Sequence, residues 1–122
     1  MQASAYFLPA QHQTFIDYAK RVGLEASQLL RLLILHELSR LRVSSRFRAG
    51  KLGTPRRQHR GDGVQKIKVT ARLIDPAHSI AYRRYVAVLG LGSTEAATLI
   101  AHEELRQRWL EKIVRGRLGS SQ

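Results

Sequence analysis

Cysteine is absent from the 122-residue chain, which excludes a disulfide framework and any metal site built on thiolates. Long apolar runs are also absent. The most apolar stretch, residues 29–35, is interrupted by Arg31 and is too short to cross a bilayer. The residues after Met1 are small and polar, unlike a signal peptide. We therefore expect a cytoplasmic protein that does not enter a membrane.

Acidic residues are scarce, because nine Asp and Glu face 21 Lys and Arg and leave a formal net charge of +12. A folded domain tolerates such self-repulsion most readily when its partner is a polyanion. Nucleic acid is the first candidate, since the chain lacks the basic amphipathic helix with a bulky apolar face that a membrane surface would require. With 43% hydrophobic residues, we expect one compact domain over residues 1–122.

Metal-binding and catalytic motifs are also missing. His36 and His102 are each followed by a glutamate, as in a helical zinc motif. Arg40 and Arg106, however, stand four residues later, where the second histidine is required. There is no glycine-rich phosphate loop and no evident nucleophile. We predict that the chain is not an enzyme and has no metal and no cofactor.

Two adjacent acids, Glu103 and Glu104, are the nearest approach to a catalytic carboxylate pair. Their position in a helical segment rich in cations favours a simpler interpretation. We expect both on the helix surface, paired with Arg106, Arg108 or Lys112.

An internal repeat organises what is present. Gly23 and Gly90 are 67 residues apart (90 − 23), and the same shift aligns seven further identities without a gap. Chance would give about two identities over this stretch. The aligned residues are Pro9 with Pro76, Ala10 with Ala77, Tyr18 with Tyr85, Leu24 with Leu91, Leu32 with Leu99, Glu37 with Glu104, and Leu38 with Leu105. We predict one repeat over residues 2–42, a basic linker over 43–65 and a second repeat over 66–115.

Each repeat is predicted to be a strand followed by two helices. In the second repeat, apolar residues alternate with polar ones from residue 67 to 73, the period of a strand with one apolar face. Asp75 and Pro76 are typical of a helix start, and Gly90 of its end. A longer helix follows Ser93, with an apolar residue every fourth position. Its predicted stripe is Ala97, Ala101, Leu105, Trp109 and Ile113.

The first repeat has the same order, with a helix from Pro9 to about Gly23 and a second helix over about residues 26–41. Its strand has small apolar residues, Ala3 and Ala5, so we expect the two halves of the sheet to differ. The strands align best at a shift of 66 rather than 67. With 67, Arg72 would point into the core, which is far more costly than a one-residue difference in a loop.

We therefore predict an α+β fold, mostly α, in which two strands form one antiparallel ribbon covered by four helices, as in a pseudo-dimer made from a single monomeric chain. The exposed ribbon face fits the major groove of double-stranded DNA, where Arg or Lys can bind guanine and Gln can bind adenine. The alternative is a plain solvent-facing surface. The predicted face comprises Lys68, Thr70, Arg72, Gln2, Ser4 and Tyr6.

Phosphate contacts are expected at helix N-termini and in the linker. The helix-terminal candidates are Ser27, Ser93 and Thr94, which could equally serve only as helix caps. The linker has a composition typical of a mobile segment, and the alternative is a plain tether. Its candidates are Arg46, Arg48, Lys51, Arg56, Arg57 and Arg60.

The order strand, helix, glycine turn, helix, with polar residues alternating along the strand, resembles the ribbon-helix-helix superfamily. Residues 66–105 carry the resemblance, and residues 2–38 carry it more loosely. Members usually form homodimers, whereas this chain resembles two units fused in tandem. Departures from the pattern are the small Ala3 and Ala5 in the first strand, and Glu25 where a serine cap is common.

The strand KIKVTARL and the basic linker are similar to a tandem member of the superfamily that acts in T-DNA processing. That resemblance implies an accessory role in plasmid DNA transfer and crown gall virulence, in the bacterial cytoplasm, beside other relaxosome proteins. A transcriptional repressor or antitoxin with the same fold remains an alternative. A protein-interaction module, in which the charge is incidental, is a further alternative of another class.

Overall fold

A computed structural model describes residues 1–48 and 66–112 of the chain. It is α+β and mostly helical, with one two-stranded antiparallel sheet, as the sequence predicts. Within these two ranges, no helix combines the length and apolarity needed to cross a membrane. The elements are β1 (Gln2–Phe7), α1 (Pro9–Arg21), α2 (Ala26–Arg40), α3 (Arg42–Arg48), β2 (Ile67–Arg72), α4 (Pro76–Leu89) and α5 (Ser93–Gln107), with a further helical turn over residues 109–112.

The sheet pairs the strand of one repeat with the strand of the other. Ser4 lies opposite Thr70, and their hydroxyl oxygens are hydrogen-bonded at 2.9 Å. These residues are equivalent at a shift of 66 (70 − 4), so the approximate twofold axis of the ribbon passes between them. Arg72 is exposed, as the shift of 66 requires. The inward positions are fully or almost fully buried: Ala3, Ala5, Phe7, Val69, Ala71 and Leu73.

Helix α4 begins and ends at the residues that mark it in the sequence. Pro76 occupies the first turn, and the Asp75 carboxylate accepts a hydrogen bond from Ala77 N at 2.9 Å. Gly90 ends the helix with φ 70°, a left-handed conformation that favours glycine. In the first repeat, α1 likewise has Pro9 in its first turn, and Gly23 follows it with φ 79°.

The predicted number of helices is wrong, because the described residues contain six helical segments rather than four. The second helix of each repeat is broken at a residue with a left-handed backbone, Leu41 at φ 56° and Arg108 at φ 54°. These two residues are again 67 apart (108 − 41), so the break belongs to the repeat. Helix α5 therefore ends at Gln107, before Trp109 of the predicted stripe, and Ile113 lies outside the described residues.

Helix α3 also corrects the predicted linker. The composition predicts a mobile linker from residue 43 onward, but residues 43–48 are helical, and Val43 and Ser44 are buried. The linker candidates Lys51, Arg56, Arg57 and Arg60 lie outside the described residues. The many cations of this segment are typical of a solvent-exposed linker. Val43 nevertheless belongs to the apolar core, and Phe47 packs against that core.

Packing crosses between the repeats. Helix α5 of the second repeat lies mainly against β1 of the first, and α2 of the first repeat lies mainly against β2 of the second. Four apolar residues of α2 are buried at the centre of this shared core, namely Leu29, Leu30, Leu33 and Ile34, whereas Leu32 is exposed. Because each long helix covers the strand of the other repeat, neither repeat encloses its own apolar surface.

Candidate nucleic-acid interface

The six residues predicted to form the ribbon face are three directly opposed pairs in the structure. Residues opposite each other in an antiparallel pair lie on the same face of the sheet. Because the alternate positions are buried under the helices, this face points away from the core. The pairs are Gln2 with Arg72, Ser4 with Thr70, and Tyr6 with Lys68.

The ends and the centre of this face differ chemically. Arg72 and Lys68 lie at opposite ends of β2 and are exposed, and no Asp or Glu is present in either strand. They are four residues apart, about 13 Å along a strand, which corresponds to about four base-pair steps of B-DNA. Ser4 and Thr70, at the centre, are half-buried and bonded to each other.

The outer edge of β1 is fixed by α5. Tyr6 N donates to Thr98 Oγ1 at 3.1 Å, and Tyr6 O lies 3.0 Å from His102 Nε2. The His102 ring stacks on Phe7, with ring centroids 5.3 Å apart. Burial lowers the pKa of His102, which favours the neutral ring. The strand that carries the small Ala3 and Ala5 is thus held to α5 through backbone atoms of Tyr6, and no local sequence signal marks these contacts.

The predicted phosphate sites at helix N-termini lie in first turns. Ser27 is exposed in the first turn of α2, and Ser93 and Thr94 begin α5. A glutamate is present at each of these N-termini: Glu25 is the N-cap residue of α2, and Glu95 lies in the first turn of α5. Each would compete with a phosphate for the amide groups of its turn.

The two predicted linker cations within the described residues have different surroundings. Arg46 Nε lies 2.9 Å from Glu103 Oε1 in an ion pair without hydrogen-bond geometry at Nε. Arg106 approaches the same carboxylate at 3.6 Å. Arg46 therefore compensates a buried acid, whereas Arg48 is exposed at the end of α3.

The expectation that Glu103 and Glu104 lie on the helix surface is wrong, because their exposed fractions are 1% and 3%. The expected pairing of Glu103 with Arg106 is present. Glu104 instead accepts a hydrogen bond from Tyr18 Oη at 2.6 Å, and Glu37 accepts one from Tyr85 Oη at 2.5 Å. Each bond joins one repeat to the other.

Both carboxylates also begin the next helical segment. Glu37 accepts hydrogen bonds from Val43 N and Ser44 N, each at 2.9 Å, and Glu104 accepts one from Leu110 N at 3.0 Å. Val43 and Leu110 are themselves equivalent at a shift of 67 (110 − 43). The glutamates thus tie the chain beyond each left-handed break to the tyrosine of the other repeat.

Burial governs the ionisation of these groups. It raises the pKa of Glu104, and burial together with the neighbouring carboxylate raises the pKa of Tyr18 and of Tyr85 well above the usual value for tyrosine. The shift of 67 already aligns Tyr18 with Tyr85 and Glu37 with Glu104 in the sequence. The hydrogen bonds from these tyrosines to these glutamates have no local sequence signal, because they join residues more than 45 positions apart.

Within residues 1–48 and 66–112, no group of three His, Asp or Glu side chains is placed to hold a metal ion. Comparison of the chain with family models, with curated proteins and with solved structures found no match.

Proposed function

We propose that the chain is a tandem ribbon-helix-helix protein, in which two fused units form a pseudo-dimer and the ribbon enters the major groove of double-stranded DNA. The observation that supports this most directly is the pairing of Gln2, Ser4 and Tyr6 with Arg72, Thr70 and Lys68 on one outward face. A two-stranded ribbon of this kind has the width that the major groove admits.

The proposed chemistry follows from the side chains. Arg72 is suited to the O6 and N7 acceptors of guanine, and its cross-strand neighbour Gln2 to the N6 and N7 atoms of adenine. Lys68 can bind a further guanine or a phosphate. The hydroxyls of Ser4 and Thr70 sit between these two ends.

The proposed target is not palindromic. At the shift of 66 that relates the strands, Arg72 is equivalent to Tyr6 (72 − 66), and Lys68 is equivalent to Gln2 (68 − 66). A homodimer presents the same residues twice, whereas this ribbon presents different ones to the two half-sites. The chain would act as a monomer on such a site.

The proposed setting is T-DNA processing. The sequence resembles the C-terminal domain of the overdrive-binding virulence protein encoded second in the virC operon. On that resemblance, the chain is an accessory factor in plasmid DNA processing and transfer in the bacterial cytoplasm, beside relaxosome proteins. A repressor or antitoxin would use the same ribbon, and operator binding without any effect on DNA transfer would favour it.

A duplex-binding titration at several salt concentrations tests the proposal. We expect affinity to fall linearly with the logarithm of salt concentration, because phosphate neutralisation releases counterions. Replacing Arg72 by alanine should cost about 1–3 kcal/mol, or about 5- to 150-fold, on the preferred sequence. The matched control is Arg83→Ala, which removes an exposed cation from α4. Salt-independent binding, or equal losses in both variants, would contradict the proposal.

A further inference from the structure

A groove lies between α4 and the segment where α2 gives way to α3. Its volume is about 250 Å³. Its apolar lining is open to solvent, with exposed fractions of 64% for Val88 and 45% for Leu41. The lining residues that matter here are Leu38, Leu41, Ala81 and Val88, with Arg48 and Arg84 among them.

The other repeat shows that the fold does not require this groove. At a shift of 67, Val88 is equivalent to Arg21 and Leu41 to Arg108. These arginines both approach Glu111, at 3.9 Å and 3.2 Å, and both guanidinium groups lie 5.7 Å from the ring centroid of Tyr18. Among the residues that the structure describes, the equivalent surface is therefore charged and internally paired rather than apolar.

The charged side chains among the described residues that line the groove are of one sign, and the nearby Glu37 is buried behind Ser44 and Tyr85. Arg48 and Arg84 contribute two cations, no Asp or Glu lines the groove, and within the described ranges neither arginine has an acidic partner at ion-pair distance. An occupant that matches both features combines apolar side chains with carboxylates.

The chain itself does not offer such an occupant. Residues 49–65 contain four cations and one acid, Asp62, and residues 113–122 contain Arg115, Arg117 and no acid. A second copy brings a net charge of +12. Positive charge disfavours residues 49–65, residues 113–122 and a second copy of the chain as occupants of a groove lined by arginines. The complementary partner is therefore a different, acidic molecule.

We propose that this groove binds an acidic amphipathic helix of a partner protein. Apolar side chains of that helix would lie on Leu38, Ala81 and Val88, and its carboxylates would pair with Arg48 and Arg84. A groove of about 250 Å³ has room for the apolar side chains of such a helix. Helix-in-groove recognition uses anchors of this kind at spacings of three, four and seven residues.

The test uses the full chain and a fluorescent helical peptide with leucines at helical spacing and glutamates beside them. One control peptide replaces the leucines by serine, and another replaces the glutamates by lysine. Fluorescence anisotropy gives the affinity, and backbone amide chemical shifts locate the contact. The protein variants are Arg84→Glu and Val88→Glu. Arg83→Glu is the matched control, with the same change of charge on an exposed neighbour outside the groove.

We expect Arg84→Glu and Val88→Glu to weaken the acidic peptide by about tenfold or more, and Arg83→Glu to have a much smaller effect. Both control peptides should bind weakly, and chemical shifts should change at Leu41, Ala81 and Val88. Equal losses in Arg83→Glu and Arg84→Glu, or undiminished binding of the serine peptide, would overturn the proposal.

A duplex arm separates this proposal from the DNA-binding one. Arg72→Ala should leave peptide affinity unchanged, while the two glutamate variants at 83 and 84 should affect duplex affinity alike. If Arg84→Glu weakens the duplex selectively and leaves the peptide unaffected, the groove belongs to the nucleic-acid surface and the peptide proposal fails.

Discussion

Replacing Tyr85 by phenylalanine removes one hydroxyl from the contact between the repeats and keeps the ring. The lost bond is the 2.5 Å contact from Tyr85 Oη to Glu37, and both residues are less than 8% exposed. Hydrogen bonds to charged groups contribute about 1.5–3 kcal/mol. Glu37 keeps its bonds from Val43 N and Ser44 N, so the carboxylate is not left without donors. We expect a loss of about 2 kcal/mol in the free energy of unfolding.

Equilibrium urea unfolding, followed by circular dichroism, measures this loss. A domain of this size has an m-value at the lower end of about 1–3 kcal/mol per molar urea, so the midpoint should fall by about 1 M or more with an unchanged m-value. Tyr18→Phe, the equivalent change in the other repeat, should cost at least as much, because Tyr18 Oη also accepts a bond from Glu111 N.

Tyr82→Phe is the control for the acceptor, since Tyr82 Oη donates to the neutral Ser93 O at 2.6 Å. Tyr82→Phe should lower the free energy of unfolding by less, about 1 kcal/mol, because the acceptor is neutral. The reasoning is refuted if Tyr85→Phe unfolds at the same urea concentration as the unchanged protein. It is also refuted if Tyr82→Phe is the more damaging of the two.

Three further variants test ionisation and backbone strain. Burial raises the pKa of Glu104 above its ordinary value of 4.5, so the stabilisation linked to its protonated form is fully present below pH 4.5 and is lost as pH rises through the folded-state pKa. Urea midpoints over a pH series should show this decline in the unchanged protein relative to Glu104→Gln, and a pH-independent difference would contradict it. Gly90→Ala should lower the free energy of unfolding by about 1–2 kcal/mol, because a φ of 70° is unfavourable for alanine. An added Cβ meets no atom within 4 Å, so no steric clash adds to this loss. Gly23→Ala, at φ 79°, should cost about the same, and unchanged thermal or urea stability in both would show that the left-handed turns carry no strain.

The local elements could be predicted because their signals are local. Proline and aspartate begin α4, glycine ends it, and alternation along residues 67–73 gives the inward and outward faces of β2. The same alternation predicts the six outward residues of the ribbon face, which the structure places in three opposed pairs. Steric and capping preferences act within a few residues, so a reading of the sequence can find them.

The buried carboxylates could not be predicted in the same way. Glu104 is followed by Arg106 and Arg108, which is typical of an exposed helix surface, yet its partners are a tyrosine 86 positions away and an amide beyond a helix break. That break has no glycine or proline to mark it. Arg108 adopts φ 54° where the helical period of apolar residues simply continues in the sequence. Tertiary contacts outweighed local preference at these positions.

The crossed packing of α5 on β1 and α2 on β2 has a consequence for how the chain folds. Hydrogen bonds between the two repeats join residues 66, 86 and 92 positions apart, at Ser4 with Thr70, Tyr18 with Glu104, and Tyr6 with Thr98. A large loop must close before any of them forms, so we expect the chain to fold more slowly than a helical domain held by local contacts alone. Because both partners belong to one chain, that closure is a first-order event. Unlike the assembly of a homodimer, its rate and its folded population do not change when the protein is diluted.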